Sequence, residues 1–332
     1  MGTKLGLRRR GWRYRAAAKS LGLRKCALRT SAITPEAILA FMTVRNEYVR
    51  LPYLLSYYRK LGIDHFLVVD NGSDDHTAEY LADQPDVSVW QTWSSYRASR
   101  FGMDWINHLL SRYGHGHWCL TVDADEFFVY PFCDTRGLRA LTDWLDAGGA
   151  KSFGAMLLDM YPKGPVDAEP YRAGQDPFEI AAWFDGGNYM MSPHHELKNL
   201  WIQGGPRARL FFAEEPQRAP ALNKVPLVRW QRGYVYASGT HSLLPLELNL
   251  VYDNAGGEKA SGCLLHAKFL STFTEKSEEE MLRRQHYDQS HEYRAYQSGI
   301  GGQSTLWTRW SERYAGWRQL DALGLMSKGD WA

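Results

Sequence analysis

Read as a string of apolar and polar positions, the first 150 residues alternate between two periods. Ala37 to Val44 is an unbroken apolar run of strand length, and Tyr48 to Lys60 repeats Leu51, Leu54, Leu55 and Tyr58 at helical spacing. Pro52 falls in the first turn of that helix, where a missing N–H does no harm, and Gly62 ends it. His65 to Asp70 predicts a second buried strand, and Asn71-Gly72-Ser73-Asp74-Asp75 is turn chemistry leading into a helix that ends near Ala82. Val87 to Trp90 predicts a third strand. A helix over 97–113 carries Phe101, Trp105 and Leu109 at four-residue steps, and Trp118 to Val122 predicts a fourth strand. Apolar strands alternating with amphipathic helices at this spacing predict an α/β fold with a parallel sheet. In such sheets ligands bind beyond the carboxyl ends of the strands. Those ends here carry Arg45, Asn46 and Glu47, then Asp70 and Asp74, then Asp123 and Asp125.

Beyond residue 150 the pattern loosens. A strand is expected over 153–161, a loop over 162–188, short strands over 197–212, 225–236 and 262–270, and a charged helix over 275–296. The Trp-rich end from Thr305 reads as helical. The expected organisation is a basic tail over 1–34, two halves of one domain over 35–160 and 161–275, and a helical extension over 276–332.

Charge changes this picture at one end. Ten Lys and Arg precede the first acid, Glu36, which leaves 29 bases against 37 acids in the body, about eight negative charges in excess. A basic leader on an acidic body suits an anionic membrane, so residues 1–30 are the expected peripheral contact. The acidic body lacks a recognisable nucleic-acid module, and no nucleic-acid partner is expected. The four cysteines are scattered without a CxxC pair, which argues against structural zinc and for a reducing compartment. No run approaches the ~18 apolar residues of a membrane span. The expected location is the cytoplasm, at most peripheral on the inner membrane face.

The candidate chemistry centres on Asp123-Ala124-Asp125-Glu126. Acids wedged between Trp-Cys-Leu-Thr-Val and Phe-Phe-Val-Tyr are costly to bury without a cation or partners. Mn²⁺ or Mg²⁺ favours such oxygen ligands and keeps positions open for substrate phosphates. The segments 40–47, Val68-Val69-Asp70-Asn71-Gly72-Ser73-Asp74-Asp75 and Leu120 to Glu126 together resemble the GT-A glycosyltransferases, most closely the bacterial family 2-like branch, over roughly residues 36–270. The resemblance implies a Rossmann-like, mostly parallel sheet with a mixed acceptor-side region. It also implies a metal-dependent, inverting transfer of a sugar from a nucleotide-sugar donor to a glycan or lipid-linked acceptor, as in cell-surface polysaccharide synthesis. Under it, Arg45, Asn46, Glu47, Asp70 and Asp74 hold the nucleotide, Arg97 and Arg100 lie near the donor, and Asp123 and Asp125 form the metal–diphosphate site. A late element, Gly262 to Phe269, supplies His266 as a further ligand and Lys268 as a phosphate contact, with His241 as the alternative histidine.

An inverting enzyme also needs a carboxylate base on the acceptor side. Glu196, Asp159 and Asp185 lie between the D-x-D and the late histidine, and Glu196 is favoured for its polar surroundings. Arg207 and Arg209 could face the acceptor or the diphosphate. Trp90, Trp93, Trp183, Trp201 and Trp230 are candidates for a sugar platform. Two alternatives stand beside this reading. A nucleotidyltransferase would usually show a glycine-rich basic loop where Arg45-Asn46-Glu47 stands, and an inactive scaffold of the same fold would lack metal-dependent hydrolysis. No GxxxxGK[ST] occurs, which excludes a P-loop NTPase.

Overall fold

The computed structural model describes residues 2–252, 258–273 and 305–331. Helix α1 (Gly2–Lys19) leads to strands β1 (Arg24–Ala27) and β2 (Leu39–Val44), then α2 (Leu51–Leu61), β3 (His65–Asp70), α3 (Thr77–Asp83) and β4 (Val87–Gln91). Next come α4 (Met103–Tyr113), β5 (Trp118–Thr121), β6 (Glu126–Val129), α5 (Leu138–Ala147) and β7 (Ser152–Asp159). The second half adds α6 (Pro177–Ile180), β8 (Trp183–Asp185), β9 (Tyr189–His194), β10 (Asn199–Gly204), α7 (Gly205–Phe211), β11 (Asn223–Arg229), β12 (Val235–Ser238), β13 (Ser242–Leu244) and β14 (Gly262–His266). Strand β15 (Ser311–Arg313) and helix α8 (Trp317–Ala322) close the described chain.

Nine strands form one sheet in the order β1-β4-β3-β2-β5-β11-β7-β14-β6. Strands β2 to β5, β7 and β14 run in one direction, and β1, β6 and β11 run against them. The sheet is thus mostly parallel and flanked by helices, as the alternation of periods predicts. Successive residues of β2 serve opposite faces. Ala40, Met42 and Val44 share a core with Leu54, Leu55 and Tyr58 of α2, whereas Leu39 and Phe41 meet Trp105, Ile106 and Leu109 of α4. Both faces are covered, which is why the strands read as continuous apolar runs rather than alternating ones. Each fully buried Leu, Ile, Val, Phe or Met side chain among these contributes about 1.5–3 kcal/mol.

Several expectations need correction. Residues 1–34, expected as a basic, partly helical tail, do hold a helix and also join the body: β1 pairs antiparallel with β4 at the sheet edge, and α1 packs along α4. Arg15 joins Asp104, whose carboxylate is fully buried, at 2.7 Å. The helix expected from residue 97 starts only at Met103. Arg100, Phe101 and Gly102 stand at φ 51°, 54° and 77°, a left-handed run that no α-helix can include. The stretch 197–212 splits into strand β10 and helix α7, and β9 with β10 forms a separate hairpin. The loop expected over 162–188 contains α6 and β8. The end of the chain is not all helix, since β15 pairs with β8 before α8 buries Trp317 and Leu320. The helix expected over 275–296 lies outside the described residues.

Candidate functional site

The turn after β2 and the turn after β3 are built as one unit. Arg45 donates from Nη1 to the carbonyls of Asn71, at 2.9 Å, and Gly72, and its guanidinium lies 3.7 Å from Asp74. Asn46 takes φ 50°, donates its N–H to Ser73 Oγ and accepts from the Asp74 N–H through Oδ1. The Glu47 N–H donates to Thr77 Oγ1 at 2.8 Å, and Arg50 reaches the Glu47 carboxylate at 3.1 Å. Asp70 faces inward, accepting from Ser73 and, at 3.0 Å, from the Gln91 side chain. It braces the turn, and Asn71 lines the cleft in its place. Asp74 is exposed. Of the expected nucleotide-holding residues, Arg45 and Glu47 therefore line the cleft, while Asn46, Asp70 and Asp74 shape the loops behind them.

Arg97 and Arg100 also line the cleft. Arg100 donates from Nε to Asp104 at 2.7 Å and from its terminal nitrogens to the carbonyls of Ala237 and Tyr236, clamping α4 to β12.

The acidic strand end sits on the cleft floor. The Ala267 N–H donates to the Asp125 carbonyl at 2.8 Å, tying the turn between β5 and β6 to the end of β14. This tie places His266 Nε2 at 3.3 Å from Asp125 Oδ2. On its other side, Nδ1 of His266 lies 2.7 Å from Asp159 Oδ1, and Asp159 Oδ2 accepts from Arg207 Nε at 2.7 Å. Burial opposes a charge on His266, but Asp125 and Asp159 outweigh it and raise its pKa. Burial also opposes the Asp159 charge, yet Arg207 and His266 hold that carboxyl down at about 2. Lys224, buried in β11, reaches Glu126 at 2.8 Å and Asp123 at 3.6 Å, and these acids raise its pKa against the cost of burial.

The donors suit a divalent ion. A carboxylate oxygen and an imidazole nitrogen point at one another, and the second ring nitrogen is engaged by a buried carboxylate, the outer-shell arrangement that orients a metal-ligating histidine. Asp125 and His266 would be the protein ligands. Asp123 stands beside Lys224, and among the described residues no three His, Cys, Asp or Glu side chains converge. All three expected ligands, Asp123, Asp125 and His266, line the cleft, with Asp125 and His266 facing one another and Asp123 turned toward Lys224. Two protein ligands suit an Mn²⁺ or Mg²⁺ site completed by water and substrate phosphate oxygens.

Neither expected base lines the cleft. Glu196 lies at the exposed turn between β9 and β10, bonded to Arg8 at 3.0 Å, and is not part of the cleft wall. Asp159 is buried behind His266, with both oxygens engaged and its affinity for a proton depressed. It holds the His266 ring and does not itself line the cleft. Asp185 is likewise occupied, by Arg209 and the Tyr161 hydroxyl.

The whole cleft encloses about 1200 Å³. Besides the residues already placed, Arg50, Gln203, Arg218, Lys268, His241 and Trp201 line it. Trp90 and Trp230 are core, Trp93 is exposed and Trp183 packs edge-on against Trp307, so among the described residues Trp201 alone of the five expected platform tryptophans reaches the cleft. Sequence reasoning missed Arg50 and Lys224 as cleft residues, whereas Glu126, singled out with the acidic turn, does line the cleft. The signal for Lys224 was a cation inside the apolar run Leu222 to Val228, since a lone charge in a buried strand must have a partner.

No family model matches the chain, and no curated protein matches it. Among solved structures, UTP-bound UGPase from Acinetobacter baumannii is 10% identical, with a TM-score of 0.32 over 78% of this chain and 98% of that one. HddC from Yersinia pseudotuberculosis is 8% identical, with a TM-score of 0.29 over 67% and 82%. A 4-diphosphocytidyl-2C-methyl-D-erythritol synthase is 20% identical, with a TM-score of 0.26; the match covers 42% of this chain and 66% of that one. Likenesses this low do not say what this chain does.

Proposed function

We propose that this protein is a metal-dependent glycosyltransferase that moves a sugar from a nucleotide-sugar to an acceptor hydroxyl. The observation that carries the proposal is the Asp125–His266 pair on the floor of a cleft whose walls present Arg45, Arg50, Arg97, Lys224 and Lys268. A donor diphosphate brings negative charge that such a wall can receive. When bound, Mn²⁺ or Mg²⁺ would act as a Lewis acid for the departing nucleoside diphosphate. The chain's own residues do the rest. Asp159 fixes the His266 ring, and Arg207 fixes Asp159. Lys224 holds Glu126 and stands near Asp123, so the acidic turn keeps its shape before substrate arrives. Trp201 offers an apolar face to a sugar. Inversion is retained from the family resemblance, and the acceptor-side base is assigned to neither Glu196 nor Asp159.

A nucleotidyltransferase would use the same kind of sheet and metal but release a different product. Its glycine-rich loop is missing after β2, where Arg45-Asn46-Glu47 is cross-tied to the Asn71–Asp74 turn, and this favours the transferase reading. The test is a product assay. Nucleotide-sugars with and without Mn²⁺ are expected to yield free nucleoside diphosphate and, with acceptor glycans, a glycosylated product. Asp125→Ala should abolish the metal-stimulated rate while circular dichroism stays unchanged. Release of pyrophosphate from a nucleoside triphosphate and a sugar phosphate would replace this reading with the second one.

A further inference from the structure

We propose that the outer face of α1 is a docking surface for an anionic lipid membrane. The inner face of the helix is engaged with the body. Ala16 is buried, Arg15 is bonded to Asp104, and the Trp12 ring is covered by the guanidinium groups of Arg8 and Arg100, each 5.0 Å from its centroid. The outer face carries Leu7, Tyr14 and Leu21, which are 67%, 80% and 89% exposed. They recur every seventh residue, and seven residues are almost two turns, so Leu7 and Tyr14 share one side of the helix and Leu21 continues the row just past its end. Exposed Lys4, Arg10 and Arg13 flank this row, and no acid occurs before Glu36.

Cations on an exposed helix face attract anionic headgroups, and the exposed row of Leu7, Tyr14 and Leu21 between them can reach the acyl boundary. A nucleic acid would engage the cations but give the two leucines nothing to contact, which favours lipid. The helix is also held in place beside the cleft. Trp12 rests on Arg100, a cleft residue, and Arg8 is bonded to Glu196 on the β9–β10 hairpin, whose Trp201 and Gln203 line the same cleft. A membrane bound to α1 would therefore lie near the rim, where a lipid-linked acceptor could enter. That last consequence rests on the transferase reading, whereas the lipid contact does not.

The test is flotation of the full chain with vesicles of phosphatidylcholine alone or with 30% phosphatidylglycerol, at ~0.15 M salt. Binding to the anionic vesicles only is expected. Each cation near such a surface contributes about fivefold, so the combined variant Lys4→Gln, Arg10→Gln, Arg13→Gln should bind about a hundredfold more weakly. The second variant, Leu7→Ser, Tyr14→Ser, Leu21→Ser, should lose at least tenfold while keeping its charge. These side chains project to solvent, and an unchanged melting temperature and nucleotide-sugar turnover would show that fold and cleft are intact. Equal flotation with neutral vesicles, or flotation indifferent to either variant, would overturn the proposal. So would displacement of the vesicles by single-stranded RNA that the serine variant binds undiminished.

Discussion

Asp159 shows how much one side chain can decide. It is buried, it ends β7, and it joins Arg207 to His266 through separate oxygens. Breaking a buried ion pair from one side leaves a desolvated charge, at a cost of about 3–5 kcal/mol. Asp159→Asn should therefore lower the urea midpoint markedly and also reduce the thermal shift produced by Mn²⁺, because His266 loses its anchor. A stability loss with the metal shift untouched would assign Asp159 to the core alone. His241 offers a second measurement, on the β12–β13 side of the cleft. Burial first, then the charges of Lys224 and Arg207, hold its pKa down at about 3, and its Nδ1 donates to the Asn223 carbonyl at 2.6 Å. An unfolded histidine takes up a proton near pH 6.5, so between these values the unfolded chain binds more protons and stability falls as the pH drops. His241→Asn keeps a donor for Asn223 and removes the titration. The stability difference between wild type and variant should shrink from pH 7 toward pH 4 in urea unfolding series; a constant difference would contradict the assignment.

Elements explain what could be read in the sequence and what could not. The buried strands β2, β3, β4 and β5 announce themselves because both faces of each are apolar, and α2 because Leu51, Leu54, Leu55 and Tyr58 form one stripe. The acidic turn was legible for the same reason, as charge that interrupts two apolar runs. Long-range pairings were not legible. Nothing local in Arg24–Ala27 says that it will extend the sheet, since its burial is slight and its partner β4 lies about sixty residues ahead. Nor does His194-His195-Glu196 reveal that it caps a hairpin and not a cleft wall. The start of α4 misled because a helical pattern continues back through Arg100 while the backbone does not. Gly102 is the residue that permits the break. It stands at φ 77°, and a Cβ there would lie 2.8 Å from Thr43 Oγ1 and 3.1 Å from the Tyr96 ring. Gly102→Ala should cost about 1–3 kcal/mol and, because Thr43 and Tyr96 both line the cleft, weaken nucleotide-sugar binding. Isothermal titration with the donor alongside denaturant melts would check both effects.

At the scale of the whole molecule, the N-terminal segment is structural as well as basic. Deleting residues 2–27 would remove an edge strand and α1, and it would leave Asp104 with Arg100 as its remaining ion-pair partner among the described residues. The shortened chain should melt at a lower temperature and lose turnover, so such a deletion cannot isolate lipid contact from catalysis; point changes on the outer face of α1 can. An unchanged melting temperature would show that the edge strand contributes little.

The order of strands in the sheet has one more consequence. His266 meets Asp125 only after β14 has inserted between β7 and β6, strands laid down more than a hundred residues earlier in the chain. During synthesis the first five strands can assemble their α/β layer while the floor of the cleft is still missing its histidine. A nascent chain would thus acquire most of its fold well before its cleft, which stays incomplete until the segment around residue 266 has left the ribosome.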